Sequence, residues 1–208
     1  MSSQRYPSRL ESRAGFFAST REECLSPREY DLPLFIDGAR LGYGLCSPKC
    51  DLSLPQLSQL ADVFYIGGTK VGALFGEAVV IASDALKKDF RYSIKQHGGM
   101  LAKGRLLGIQ FATLFADDLY FQISRHAIDE AMRIRAALQA KGISFLIDSP
   151  TNQQFPIFTN EQAAILSQNF LLSPWKRIDD THIAMRICTS WATRHENVDC
   201  LIEAIDKL

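Results

Sequence analysis

The feature that most constrains this fold is an apolar segment that ends in a polar side chain, and it occurs twice. Residues 34–36 (LFI) lead into Asp37, and residues 63–66 (VFYI) lead through two glycines and a threonine into Lys70. Between them, residues 54–60 carry apolar side chains at helical spacing. The order strand, helix, strand predicts parallel neighbours in a sheet. Asp37 and Lys70 would then share the carboxyl edge, where ligands bind in open α/β sheets.

The rest of the chain continues the alternation of strand and helix patterns. Residues 77–82 (EAVVIA) predict a third strand of the same sheet. Further on, the periodicity predicts helices over residues 84–92, 101–115, 119–140, 161–170 and 196–205. A break between two of these helices is expected near Asp117-Asp118, and Gly142 is expected to end the second of them. Strands are predicted over residues 145–147, 155–158 and 183–188.

These elements predict an α/β fold class with two ordered regions. We expect residues 28–112 to form part of a large domain with a mainly parallel sheet and covering helices, and residues 113–208 to form a small C-terminal α+β domain. Residues 1–27 are rich in serine, arginine and glutamate and predict an irregular arm.

Charge and composition argue against several classes of partner. Lys and Arg total 23 and Asp and Glu total 23, so no net positive charge attracts nucleic acid or an anionic membrane. No apolar run approaches the roughly 20 residues that span a bilayer. The five cysteines are widely spaced and follow no secretory signal, which favours the cytoplasm.

The sequence offers no obvious metal site. Cys46 and Cys50 lack the second pair of ligands that a tetrahedral site needs, and free thiols in a loop are the simpler interpretation. The histidines His126, His182 and His195 have no ligand partners nearby in the sequence, so we assign them no role.

Lys70 and Asp37 together suit pyridoxal phosphate. A lysine after small residues can project its amine into a cleft and form an imine with an aldehyde, while a carboxylate can pair with the nitrogen of the cofactor ring. Taken singly, a turn aspartate and an exposed loop lysine are equally good interpretations. A nucleotide loop is disfavoured because neither glycine-rich phosphate-binding pattern occurs.

Four segments carry a resemblance to a known family. They are LFIDGARLG (34–42), YIGGTK (65–70), GEAVV (76–80) and KQHGGMLAKGR (95–105). Their order and spacing resemble the low-specificity threonine aldolases and aromatic amino-acid β-eliminating lyases over most of residues 29–208. The resemblance implies pyridoxal-phosphate fold type I and a homo-oligomeric enzyme that acts on a small amino acid.

The resemblance also implies roles for individual residues. Lys70 would hold the pyridoxal 5'-phosphate, Asp37 would pair with its ring nitrogen, and Arg40 would lie beside it. Arg186 matches the family arginine that binds the substrate carboxylate, a task suited to its planar fork, although a surface strand arginine is the alternative. The implied reaction cleaves a β-hydroxy amino acid such as threonine to glycine and an aldehyde.

The sequence departs from the family before residue 29. The loop that holds the cofactor phosphate and the histidine that stacks on its ring have no counterpart in residues 1–27, so we expect an N-terminally truncated copy with an exposed sheet edge. Two alternatives to the aldolase therefore stay open. One is an inactive remnant, and the other is a β-eliminating lyase, which uses the same lysine and aspartate.

Overall fold

The computed structural model describes residues 32–208, so the arm predicted over residues 1–27 lies outside the described residues. The elements in chain order are β1 (Phe35–Ile36), α1 (Leu41–Leu45), α2 (Leu54–Leu60), β2 (Val63–Gly67), β3 (Glu77–Ile81), α3 (Phe90–Gln96), α4 (Arg105–Phe115), α5 (Leu119–Ala140), β4 (Gln153–Gln154), β5 (Ile157–Thr159), α6 (Asn160–Ser167), β6 (Ser173–Arg177), β7 (His182–Cys188) and α7 (His195–Asp206).

The first sheet has three strands in the order β1-β2-β3. Strand β1 runs parallel to β2, as predicted, and the helix α2 between them begins with a capping box formed by Ser53 and Gln56. Strand β3 pairs antiparallel with β2, so the prediction of a mainly parallel sheet is wrong for this strand. The reason is the connection: residues 68–76 form a short loop without a crossover helix, and only antiparallel strands can be joined that way.

The second sheet surrounds β7, which pairs antiparallel with β4, β5 and β6. The sequence did not predict strand β6. It contains Pro174, and a proline argues against a strand unless that strand lies at the edge of a sheet. The strand predicted over residues 145–147 is wrong, since only an isolated bridge from Phe145 to Pro156 forms there.

The predicted helix over residues 84–92 is also partly wrong. A 3₁₀ turn covers Asp84–Leu86, and the α-helix starts only at Phe90. Asp89 has a left-handed φ of 57° between them, a conformation that interrupts a right-handed helix. The break predicted near Asp117-Asp118 is confirmed by left-handed φ values of 50° and 57°.

Helix α5 joins two hydrophobic cores. Its Ala127 and Ile128 pack with β1, β2 and α1, whereas its Ile134 and Leu138 pack with β7 and α7. The helix ends before Gly142, whose φ of 76° suits the predicted cap. The domain boundary predicted at residue 113 stays a prediction. No helix among residues 32–208 is long and apolar enough to cross a membrane.

Candidate active site

Asp37 and Lys70 lie in the loops that follow the parallel strands β1 and β2. The amide of Gly67 donates to the carbonyl of Gly38 at 2.9 Å and so ties the two loops together. A Cβ atom on Gly38 would lie 1.6 Å from the Tyr65 carbonyl oxygen, so this close approach requires glycine. The strand pairing therefore holds both predicted site residues at one edge, as the sequence indicated.

The Asp37 carboxylate is held in its ionised form. Its Oδ1 accepts a short hydrogen bond from the Tyr65 hydroxyl and a second from the Ala39 amide at 3.0 Å. These two hydrogen bonds, with smaller contributions from the positive charges of Lys70 and Arg40, hold the pKa of Asp37 below its usual range. Burial and the neighbouring carboxylate raise the pKa of Tyr65 to about 12, so its hydroxyl stays a donor.

A second carboxylate, Glu77, lies beside the same loop. Its Oε2 accepts the amide of Gly68 at 3.2 Å, and its position on β3 is opposite Gly67. Desolvation raises the pKa of Glu77, and the positive charge of Lys70 opposes that shift. Sequence reasoning missed Glu77, although an acidic residue opening an apolar strand was a signal.

Two tyrosines that the sequence did not single out support the site. Tyr65 orients Asp37, as described above, and Tyr43 supports the loop of Lys70. The buried Tyr43 hydroxyl donates a short hydrogen bond to the Lys70 carbonyl and accepts the Trp191 amide at 3.3 Å. Because Trp191 follows β7, this contact links the Lys70 loop to the second sheet.

The two predicted arginines have different surroundings. Arg40 is half-buried just before α1 and close enough to Asp37 to lower its pKa. Arg186 lies on β7 with its guanidinium carbon 5.3 Å from the centre of the Trp175 ring. Its Nε is buried and has no hydrogen-bond partner among the described residues. No hydrogen bond or ion pair within residues 32–208 joins Arg186 to Asp37 or Lys70.

The expectation that the histidines have no ligand partners nearby does not hold for two of them. The fold brings His126 and His195 together with the buried Glu130. The spacing of His126 and Glu130, four residues apart on one helix, was visible in the sequence. The third member was not, because His195 comes from a distant helix.

Comparisons with known proteins show which proteins this chain is similar to. Protein-family profiles give no match to the chain. The low specificity L-threonine aldolase of Pseudomonas aeruginosa is 31% identical over 130 residues, which cover 62% of this chain and 37% of that enzyme. The structure of Leishmania major threonine aldolase superposes on 94% of this chain with a TM-score of 0.89 and 40% identity. This chain is therefore similar to the threonine aldolases over part of their length.

The chain spans only part of the proteins that it matches, 37% of the Pseudomonas enzyme and 58% of the Leishmania chain. The Sphingomonas wittichii serine palmitoyltransferase structure has a TM-score of 0.64 over 89% of this chain and 49% of its own, at 12% identity. That likeness concerns the fold alone. The chain has part of pyridoxal-phosphate fold type I, as the resemblance in its sequence implied.

Proposed function

We propose that this chain carries the lysine-bearing part of a pyridoxal-phosphate lyase that cleaves a β-hydroxy amino acid, such as threonine, to glycine and an aldehyde. The observation that carries the proposal is the meeting of Lys70, the ionised Asp37 and Arg40 at the carboxyl edge of β1 and β2. The 40% identity to Leishmania major threonine aldolase favours aldol cleavage over β-elimination.

The residues at this edge fit the ring end of the cofactor. Asp37 is exposed, and its Oδ2 has no hydrogen bond within the described chain, because both donors reach Oδ1. An ionised carboxylate with a free oxygen suits a protonated ring nitrogen, and Lys70 supplies the amine that holds the aldehyde. When bound, pyridoxal phosphate withdraws the electron pair left at the substrate α-carbon when a bond to that atom breaks.

The remaining residues have separate tasks in this proposal. Tyr65 and Ala39 keep Asp37 ionised and fix the direction of its free oxygen. Arg186 binds the substrate carboxylate, and its buried, unpaired Nε is a donor that such a group would satisfy. Cleavage also needs a group that takes the proton of the substrate hydroxyl. We assign this role to no residue of this chain.

The test is whether the chain captures the cofactor at Lys70. We would mix purified protein with pyridoxal phosphate, record the absorbance spectrum, reduce with borohydride and locate the modified lysine by peptide mass spectrometry. The control variants are Lys70→Ala and Lys88→Ala, the second at an exposed lysine on the same chain. We expect one adduct at Lys70 that the first variant loses and the second keeps.

Other outcomes separate the alternatives. If adduct forms at Lys70 and threonine yields glycine and an aldehyde, the aldolase assignment stands. If the adduct forms but only an aromatic amino acid reacts, β-elimination replaces it. If surface lysines react as readily as Lys70, or no adduct forms, the chain is an inactive remnant of the family.

We further propose that the protein is a cytoplasmic homo-oligomer, as the family resemblance implies. Large apolar side chains are exposed around α4, with Leu74 at 86%, Leu106 at 58% and Ile109 at 48% of full exposure. Exposed apolar side chains grouped around one helix are typical of subunit contacts. Light scattering coupled to size exclusion would give a mass above that of one chain, and a monomer mass would contradict this part of the proposal.

A further inference from the structure

A cluster of two histidines and a glutamate lies where α5 meets the start of α7, apart from the residues assigned to the cofactor. His126 and Glu130 are four residues apart, so their side chains project from the same face of α5, one turn from each other. His195 is the first residue of α7. One ligand atom from each residue lies within 4.8 Å of the other two. Two imidazoles and a carboxylate form a ligand set that zinc commonly uses.

Glu130 is the buried member of the cluster. The residue is only 1% exposed, and its Oε2 accepts a hydrogen bond from Arg133 at 2.8 Å. Its Oε1 lies 2.5 Å from His195 Nδ1, with which it forms an ion pair when the imidazole is protonated, and no other donor among the described residues reaches this oxygen. A buried carboxylate needs a positive charge beside this oxygen, and a bound dication would take the place of the His195 proton.

His126 is prepared to act as a ligand. Its Nε2 lies 2.7 Å from the carbonyl oxygen of Thr193. When Nε2 donates its proton to that carbonyl, Nδ1 keeps the lone pair that a metal requires. Histidines that bind metals usually donate their other ring N–H to a carbonyl or carboxylate in this way, which fixes both tautomer and ring orientation.

The dimensions of the cluster suit a small dication. Tetrahedral zinc with bonds of about 2.0–2.2 Å places its ligand atoms roughly 3.3 Å apart. His195 Nδ1 lies 2.5 Å from Glu130 Oε1, and the ligand atoms of the three residues all lie within 4.8 Å of one another, which leaves room for that spacing. The His195 side chain is 66% exposed, so it can rotate the short distance that binding needs.

We propose that His126, Glu130 and His195 bind a zinc-class dication that pins the start of α7 to α5. Mg²⁺ is expected to bind poorly, because it prefers oxygen ligands in octahedral geometry. The site makes no use of Lys70 or Asp37, so it stands or falls independently of the proposed lyase activity.

The test is a zinc titration of the metal-free full-length chain by calorimetry, in buffer without phosphate or pyridoxal phosphate. We expect one Zn²⁺ per chain, no saturable Mg²⁺ binding, and a Tm that rises with zinc. His195→Ala and His126→Ala should each weaken zinc at least about tenfold, since even loss of an outer-shell partner commonly costs 10- to 100-fold. His195 is 66% exposed but contacts the buried Glu130, so the thermal unfolding scan without zinc also shows whether its variant folds.

Two control variants separate this cluster from other donors. His182→Ala removes a histidine that contacts Asp179, and the double variant Cys46→Ser/Cys50→Ser removes the two closely spaced thiols. Both should bind zinc as the unmodified chain does. The proposal is overturned if no zinc binds, or if zinc binding survives in His195→Ala and His126→Ala but is lost with the cysteines.

Discussion

The Tyr120 hydroxyl offers a sharp test of how the site is supported. It accepts the amide of Gly42 at 3.1 Å and donates to the carbonyl of Gly67 at 3.1 Å, and the residue is only 1% exposed. Tyr120→Phe would keep the ring and remove both hydrogen bonds. A buried polar group left without a partner costs about 1–3 kcal/mol, so we expect the free energy of unfolding to fall by about 2–4 kcal/mol.

Urea denaturation measures this loss directly. The midpoint should fall without a change in the slope m, because the surface exposed on unfolding is the same. For a chain of this size, the loss corresponds to a drop in Tm of roughly 5–15 °C. Tyr92→Phe is the matched control, since Tyr92 is 76% exposed and should change stability by less than about 0.5 kcal/mol. A loss below about 1 kcal/mol for Tyr120→Phe would refute the bridging role.

Two further predictions concern the edge of the first sheet. Because the pKa of Asp37 is depressed, its contribution to stability is present above its ordinary pKa of about 3.9 and disappears as the pH falls through the lower native value. Tyr65→Phe should raise the pKa of Asp37, which carboxyl-carbon NMR can follow; an unchanged value would show that the hydrogen bond has no such effect. Gly38→Ala should destabilise the fold by at least about 3 kcal/mol, because its Cβ would meet backbone at 1.6 Å. Gly108→Ala, in a helix with nothing within 4 Å, should instead stabilise by about 0.5–1 kcal/mol, and equal effects of the two substitutions in urea titrations would contradict the packing argument.

Local patterns predicted the part of the site that depends on local structure. The apolar segments before Asp37 and Lys70 form strands β1 and β2, and the capped helix between them makes the strands parallel. Parallel neighbours bring their carboxyl ends to one edge whatever the rest of the fold does. This is why the closeness of Asp37 and Lys70 could be inferred without any distant contact.

The supporting contacts could not be predicted in the same way, because they join residues far apart in the chain. Tyr120 reaches Gly67 across 53 positions, and the amide of Trp191 reaches Tyr43 across 148. Hydrophobic periodicity identifies a tyrosine on the buried face of a helix but does not say which backbone group its hydroxyl meets. The antiparallel pairing of β3 was missed for a related reason, since it depends on the length and course of a loop.

Unpaired polar groups at the proposed site differ in what they cost the folded chain. The free oxygen of Asp37 is exposed, so water satisfies it and its lack of a protein partner costs little. The Nε of Arg186 is buried, so leaving this donor without a hydrogen bond lowers the free energy of unfolding. A chain selected for stability alone would favour an apolar residue at that strand position. The arginine is explained if a carboxylate pairs with it during function, which is the role that the proposed lyase assigns to it.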